Sequence, residues 1–163
     1  MLYAVLTVSL VALDQLVKYL VRTNIPLGES IPFLPHLMNL TYTQNTGAAF
    51  SLFQDYTWVL TFISLVVAVG LAVCIWRRSI FTHPIGLMIL SLVLAGAVGN
   101  LIDRLCLGYV TDMFQTIFID FAIFNVADIC VVLGGIGIVA YAYFGSRFEN
   151  KGGTGHDAPS TDR

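Results

Sequence analysis

Asp112 and Asp128 are the residues of this 163-residue chain best suited to chemistry, because neither has a basic residue at helical spacing to neutralise it. Two carboxylates brought together at low dielectric cannot both ionise easily, so one keeps a proton. The ionised member can then take a proton from water, while the protonated member hydrogen-bonds to a carbonyl and donates. Paired aspartates hydrolyse a peptide bond in this way, and the two pKa values belong to the pair. The spacing alone also admits two hydrogen-bonded polar anchors.

The other ionisable residues have local partners. Asp14 and Lys18 stand i,i+4 on one helical face, an ion-pair spacing. They read as a structural pair whose lysine snorkels outward. Asn100 and Arg104 are also i,i+4, whereas Asp103 and Arg104 are adjacent and point to different faces. These three close the outer end of an apolar segment and read as polar clamps around a site. A charge at the bilayer centre costs about 2.5–3.5 kcal/mol on insertion scales, so intramembrane ionisable groups suggest function. Asp14 lies about 20 Å along the first apolar segment, at 1.5 Å per residue. Asp128 lies about one turn inside the fourth, and Asp112 lies in the connection before it. All of them converge on one level near the outer leaflet.

Other chemistries find less support. His36, His83 and His156 are scattered and form no HExxH, which argues against zinc hydrolysis. No phosphate-binding or dinucleotide-binding glycine pattern occurs. A Ser–Lys dyad would use Lys18 with Ser51, or with Ser9 on the same segment, and is the rival hydrolase. A non-enzymatic transporter subunit with an acidic proton path is a second rival. It would need carboxylates spread through the membrane, and the inner halves of the second and fourth segments offer none. Cys74, Cys106 and Cys130 lack CxxC spacing and read as small buried residues.

The elements that position these groups are apolar. With 57% hydrophobic and 11% charged residues, against about 45–50% and about 25% in soluble domains, the chain cannot cover itself with polar surface. The bilayer is the expected solvent. A net charge of −2 with no basic stripe argues against a nucleic-acid partner. Four segments can span: 2–21, 58–76, 83–101 and 124–144. The first lacks a basic start and is interrupted by Asp14, Gln15 and Lys18, so it reads as a retained helix, not a secretory signal. Trp58 and Trp76 bracket the second, and His83-Pro84 opens the third. Arg77-Arg78, Arg147 and Lys151 put both termini in the cytoplasm and the connections 23–57 and 102–123 outside. Residues 1–148 form one membrane domain, and 149–163 read as a disordered cytoplasmic tail.

Met38–Thr43 alternates apolar and polar, as a half-buried strand does. Asn45-Thr46-Gly47 supplies a turn, 48–53 a return strand, and Ile117–Phe121 a less regular alternation. A small sheet on the outer membrane face follows. Ala95, Gly96, Ala97 and Gly99, with Gly134, Gly135 and Gly137, mark close helix packing. The fold class is a four-transmembrane-helix, all-α membrane protein carrying that small β-sheet.

Taken together, several motifs resemble the lipoprotein signal peptidase family, signal peptidase II. They are Asp14-Gln15-Leu16-Val17-Lys18, Asn45-Thr46-Gly47-Ala48-Ala49-Phe50, Gly99-Asn100-Leu101-Ile102-Asp103-Arg104, Gly108-Tyr109-Val110-Thr111-Asp112 and Phe124-Asn125-Val126-Ala127-Asp128. They span residues 14–128 in the family's order. The resemblance implies that Asp112 and Asp128 are the catalytic pair, with Asn45, Gly47, Asn100, Arg104 and Asn125 lining or bracing the site. Asp14 and Lys18, with Asp103, are then structural polar residues. It implies a monomeric peptidase of the bacterial cytoplasmic membrane that needs no metal or organic cofactor. Its substrate is a diacylglyceryl-modified prolipoprotein, cut on the N-terminal side of the lipidated cysteine. The chain departs from the family pattern at Met113, usually phenylalanine, and at Thr111, usually apolar. It also lacks the usual basic residue before the first helix.

Overall fold

The computed structural model describes residues 1–47 and 57–144. In chain order the elements are α1 (Leu2–Asn24), β1 (Ser30–Leu34), β2 (Met38–Asn45), α2 (Thr57–Arg77), α3 (Pro84–Leu107), β3 (Val110–Thr116) and α4 (Val126–Phe144). All four helices are long and apolar enough to cross a membrane. The expected return strand 48–53 and the tail 149–163 lie outside the described residues.

Helix α3 is the centre, packing against α1, α2 and α4. It starts on a His83 cap, whose Nδ1 accepts from the Ile85 N–H, followed by Pro84. Its small residues let neighbours approach. A side chain at Gly96 would collide with the Ala127 carbonyl of α4, and one at Gly134 would collide with Val93 of α3. Gly135 instead faces open space and is no packing residue among the described atoms.

The helix ends differ from expectation. α3 continues to Leu107 instead of stopping at Leu101, so Asp103 and Arg104 lie within the helix and not beyond it. It stops at Gly108, whose φ of 80° is the left-handed conformation that glycine tolerates, and the chain turns directly into β3. α4 begins at Val126, after Phe124 has joined Phe114 in an isolated bridge. Cys130 is buried, but Cys106 near the end of α3 is exposed, contrary to the buried reading.

The sheet is antiparallel in the order β1-β2-β3. Its third strand is Val110–Thr116, and Ile117–Phe121 is not a strand. Both neighbours of β2 were hidden from pattern reading, β1 by its brevity and its Pro32, β3 by its lack of alternation. Proline is tolerated at β1 because it is an edge strand. Between Leu40 and Thr43 the β2–β3 register shifts, a bulge that re-aims the side chains beyond it. Tyr42 and Met113 meet Val21 of α1 and Ile25 just past its end in a buried cluster that seats the sheet on the bundle.

Candidate active site

Asp128 is placed by the way α4 begins. Asn125 precedes the first helical residue, and its Oδ1 accepts from the Asp128 N–H at 2.9 Å. In return the Asn125 N–H donates to Asp128 Oδ2 at 3.1 Å. This reciprocal arrangement is a capping box built from Asn and Asp, and it satisfies backbone donors the helix leaves open. A third donor, the Ala127 N–H, goes to Asp14 Oδ1 of α1 at 2.8 Å. Sequence Asn-x-x-Asp therefore fixes Asp128 in the first turn, where a helix N-terminus favours negative charge.

Asp112 comes from the sheet. It pairs with Thr43 across β2–β3 and is only 3% exposed. Asn125 Nδ2 donates to its Oδ1 at 2.6 Å, and Asn45 Nδ2 donates to its Oδ2 at 2.9 Å. Asn45 Oδ1 meanwhile accepts from the Gly47 N–H at 3.0 Å, holding the turn after β2. Both asparagines thus spend their oxygen on backbone and their amide on Asp112. Asn100 works similarly for the other acid, donating from Nδ2 to Asp128 Oδ1 at 2.8 Å. Neutral amides orient these carboxylates without cancelling their charge.

Burial pushes the Asp112 carboxyl up to about 6, and the nearby Asp128 charge acts in the same direction. The hydrogen bonds from Asn45 and Asn125 and the charge of Lys18 oppose the rise. Both aspartates line one cavity of about 460 Å³, together with Asn45, Gly47, Asn100 and Arg104. The rest of its wall is apolar, formed by Phe121–Phe124 and by Ile129, Val132 and Leu133 on the exposed side of α4. Arg104 lies within Coulombic reach of both acids, and its Nη1 donates to Ser64 Oγ of α2 at 3.4 Å.

The Asp14–Lys18 pair forms at 2.9 Å, but Lys18 does not snorkel. It is fully buried, with Nζ also 3.3 Å from Asp103 and 2.8 Å from Asn100 Oδ1. Its reach is taken up by partners on α3, which lies against α1 over Gly99. Sequence reasoning passed over three members of this network. Gln15 Nε2 donates to Asp103 Oδ1 at 3.0 Å and to the Gly99 carbonyl at 3.1 Å. The Thr111 N–H donates to Asp103 Oδ2 at 2.9 Å, and Arg22 Nη1 donates to Thr111 Oγ1 at 3.0 Å. Gln15 was legible as a polar residue inside an apolar segment. Of the two departures, Thr111 gains that arginine and Met113 is fully buried beside Tyr42.

The Ser–Lys alternative loses its base, since all three ammonium protons of Lys18 have acceptors, and Ser9 is exposed on α1. Ser51 lies outside the described residues. Among the described residues, no group of three or more His, Cys, Asp or Glu is arranged to hold a metal ion.

Residues 6–144 match the family model described as signal peptidase (SPase) II. The chain belongs to the signal peptidase II family. It is 44% identical to the lipoprotein signal peptidase of Enterococcus faecalis over 156 residues, 94% of each chain. The Streptococcus pyogenes serotype M5 lipoprotein signal peptidase is 44% identical over 142 residues, covering 85% of this chain and 90% of that one. Two solved bacterial membrane enzymes share the fold. One has a TM-score of 0.79 at 28% identity, covering 97% of this chain and 94% of its own. The other has a TM-score of 0.78 at 32% identity, covering 86% and 91%. This signal peptidase is accordingly a multi-pass bacterial membrane hydrolase that processes lipoproteins.

Proposed function

We propose that Asp112 and Asp128 are the catalytic pair, and that the peptidase cuts diacylglyceryl prolipoproteins on the N-terminal side of the lipidated cysteine. The observation that carries this reading is that both carboxyls face one cavity and are joined through Asn125, with no cation bonded to either among the described residues. The first turn of α4, where Asp128 lies half-buried, favours negative charge and suits that member of the pair to draw a proton from water. The pair shares one proton, and its buried member Asp112 gives that proton to the scissile carbonyl as water attacks. The proton Asp128 took from water then passes to the leaving amine as the C–N bond breaks, and the diol hydroxyl returns its proton to Asp112.

A helical carbonyl is already hydrogen-bonded, so the substrate must be extended to be cut. Asn45, Gly47 and Arg104 line the end of the cavity where such a stretch would lie. The apolar wall on the exposed side of α4 supports entry from the bilayer, with acyl chains remaining in lipid. Arg77 and Arg78, at and just beyond the end of α2, support cytoplasmic termini and a site at the outer face.

The test is cleavage of a diacylglyceryl prolipoprotein in detergent by the wild type, Asp112→Asn and Asp128→Asn. Both variants should fold and lose nearly all activity, and EDTA should leave the wild type active. Substantial cleavage by either folded variant would end the proposal.

A further inference from the structure

We infer that Lys18 is a positioning residue for the reaction: its buried ammonium fixes the Asn100 amide so that the NH2 end is presented to Asp128. The inference rests on the catalytic pair proposed above and extends it to a residue that touches neither acid. The chain of contacts is short. Lys18 Nζ donates to Asn100 Oδ1 at 2.8 Å, and Asn100 Nδ2 donates to Asp128 Oδ1 at 2.8 Å.

An asparagine amide has two ends of nearly equal shape, and only its neighbours decide which end points where. Lys18 has donors and no acceptor, so it can face only the oxygen end. The amide is thereby locked with its donor toward Asp128, and the cation polarises it into a stronger donor. Without Lys18 the amide is free to turn, and its oxygen would meet a carboxylate.

Lys18 is itself held from two helices. Its other protons go to Asp14 at 2.9 Å and Asp103 at 3.3 Å, and Arg22 stands 4.0 Å from Asp103. The charged groups around this relay are Asp14 and Arg22 from α1, Asp103 and Arg104 from α3, Asp112 from β3 and Asp128 from α4. Asp14 and Asp103 balance Lys18 and Arg22, so what Lys18 chiefly delivers to Asp128 is the orientation and polarisation of the Asn100 amide.

The experiment is a double-mutant cycle on the full-length peptidase in detergent, with a diacylglyceryl prolipoprotein as substrate. One arm is Asn100→Ala. The other is Lys18→Met combined with Asp14→Asn, which avoids stranding a buried carboxylate. Asp14→Asn alone is the reference for that arm. The expected result is a fall in kcat on the order of 10–100-fold when Lys18 is lost, the worth of one charge-assisted hydrogen bond. KM should change little, and the acidic limb of the rate profile should move to higher pH. Adding the Lys18 change to Asn100→Ala should cost little more.

Losses that multiply across the two arms would overturn the inference. So would a lower Tm with unchanged kcat and pH profile per folded molecule, because Lys18 would then be structural only. If the paired variant does not fold, Lys18→Gln is measured with the same outcomes. Asp128→Asn, assayed in parallel, separates the two readings. If it cleaves, the catalytic pair falls; if it is dead while the cycle is multiplicative, only the role of Lys18 falls.

Discussion

Two acid clusters lie side by side where α1, α3, α4 and β3 meet, and they are built in opposite ways. Asp14 and Asp103, each 1% exposed, share the ammonium of Lys18. Their carboxyls also accept from Gln15 and from the backbone N–H groups of Ala127 and Thr111. Asp112 and Asp128 are held by asparagine amides and one backbone N–H, and they face a cavity. A cation neutralises and closes a carboxylate; a neutral amide only aims it. By the reading proposed above, the charge of their donors divides these four neighbouring aspartates into scaffold and chemistry.

The sharpest break would come from exchanging roles. Asp128→Asn should lower kcat on the order of 10³-fold or more, whereas Asp103→Asn should lower it less than about tenfold per folded molecule. Comparable losses in single-turnover cleavage would erase the distinction. Stability should respond the other way. Asp14→Leu strips a buried cation of a partner and should cost about 3–5 kcal/mol in reversible unfolding. A cost near zero would show that the closed cluster is not a scaffold.

The open cluster also carries a pH signature. Burial lifts the folded Asp112 carboxyl to about 6, above the ordinary aspartate value of 3.8. Between those values the folded state binds more protons than the unfolded one, so stability falls as pH rises through that window. The wild type should therefore lose up to about 3 kcal/mol relative to Asp112→Asn between pH 4 and pH 7. Tm measured for both proteins across that range checks it, and a parallel pair of curves would contradict it. Packing gives the smallest effect. A methyl at Gly99 would lie 2.6 Å from Asp14 Oδ2, so Gly99→Ala should cost about 1–3 kcal/mol. Gly135→Ala, facing open space, should stay within about 0.5 kcal/mol.

Legibility in the sequence followed the range of the interaction. Four spans were readable because hydropathy is a local sum, and the Asp14–Lys18 pair because i,i+4 is a local spacing. The polar residues of the site were readable as types out of place in apolar segments. The sheet was readable only at β2, where Met38–Thr43 alternates; its neighbours were not, since β1 has five residues with a proline and β3 has no alternation. Lys18 was misjudged for the same reason. A snorkelling lysine and a buried one have the same local sequence, and only Asp103 and Asn100 on another helix separate them.

The order of residues by itself determined the membrane as solvent, the four apolar spans and the inventory of acids and amides. It also determined the cap of α4, because Asn-x-x-Asp closes on its own backbone. Tertiary structure decided which acids received the cation and which were left facing a cavity. That choice depends on α1 and β3 meeting across α3 and α4. Donor and acceptor there lie tens of residues apart, and no local pattern encodes their orientation.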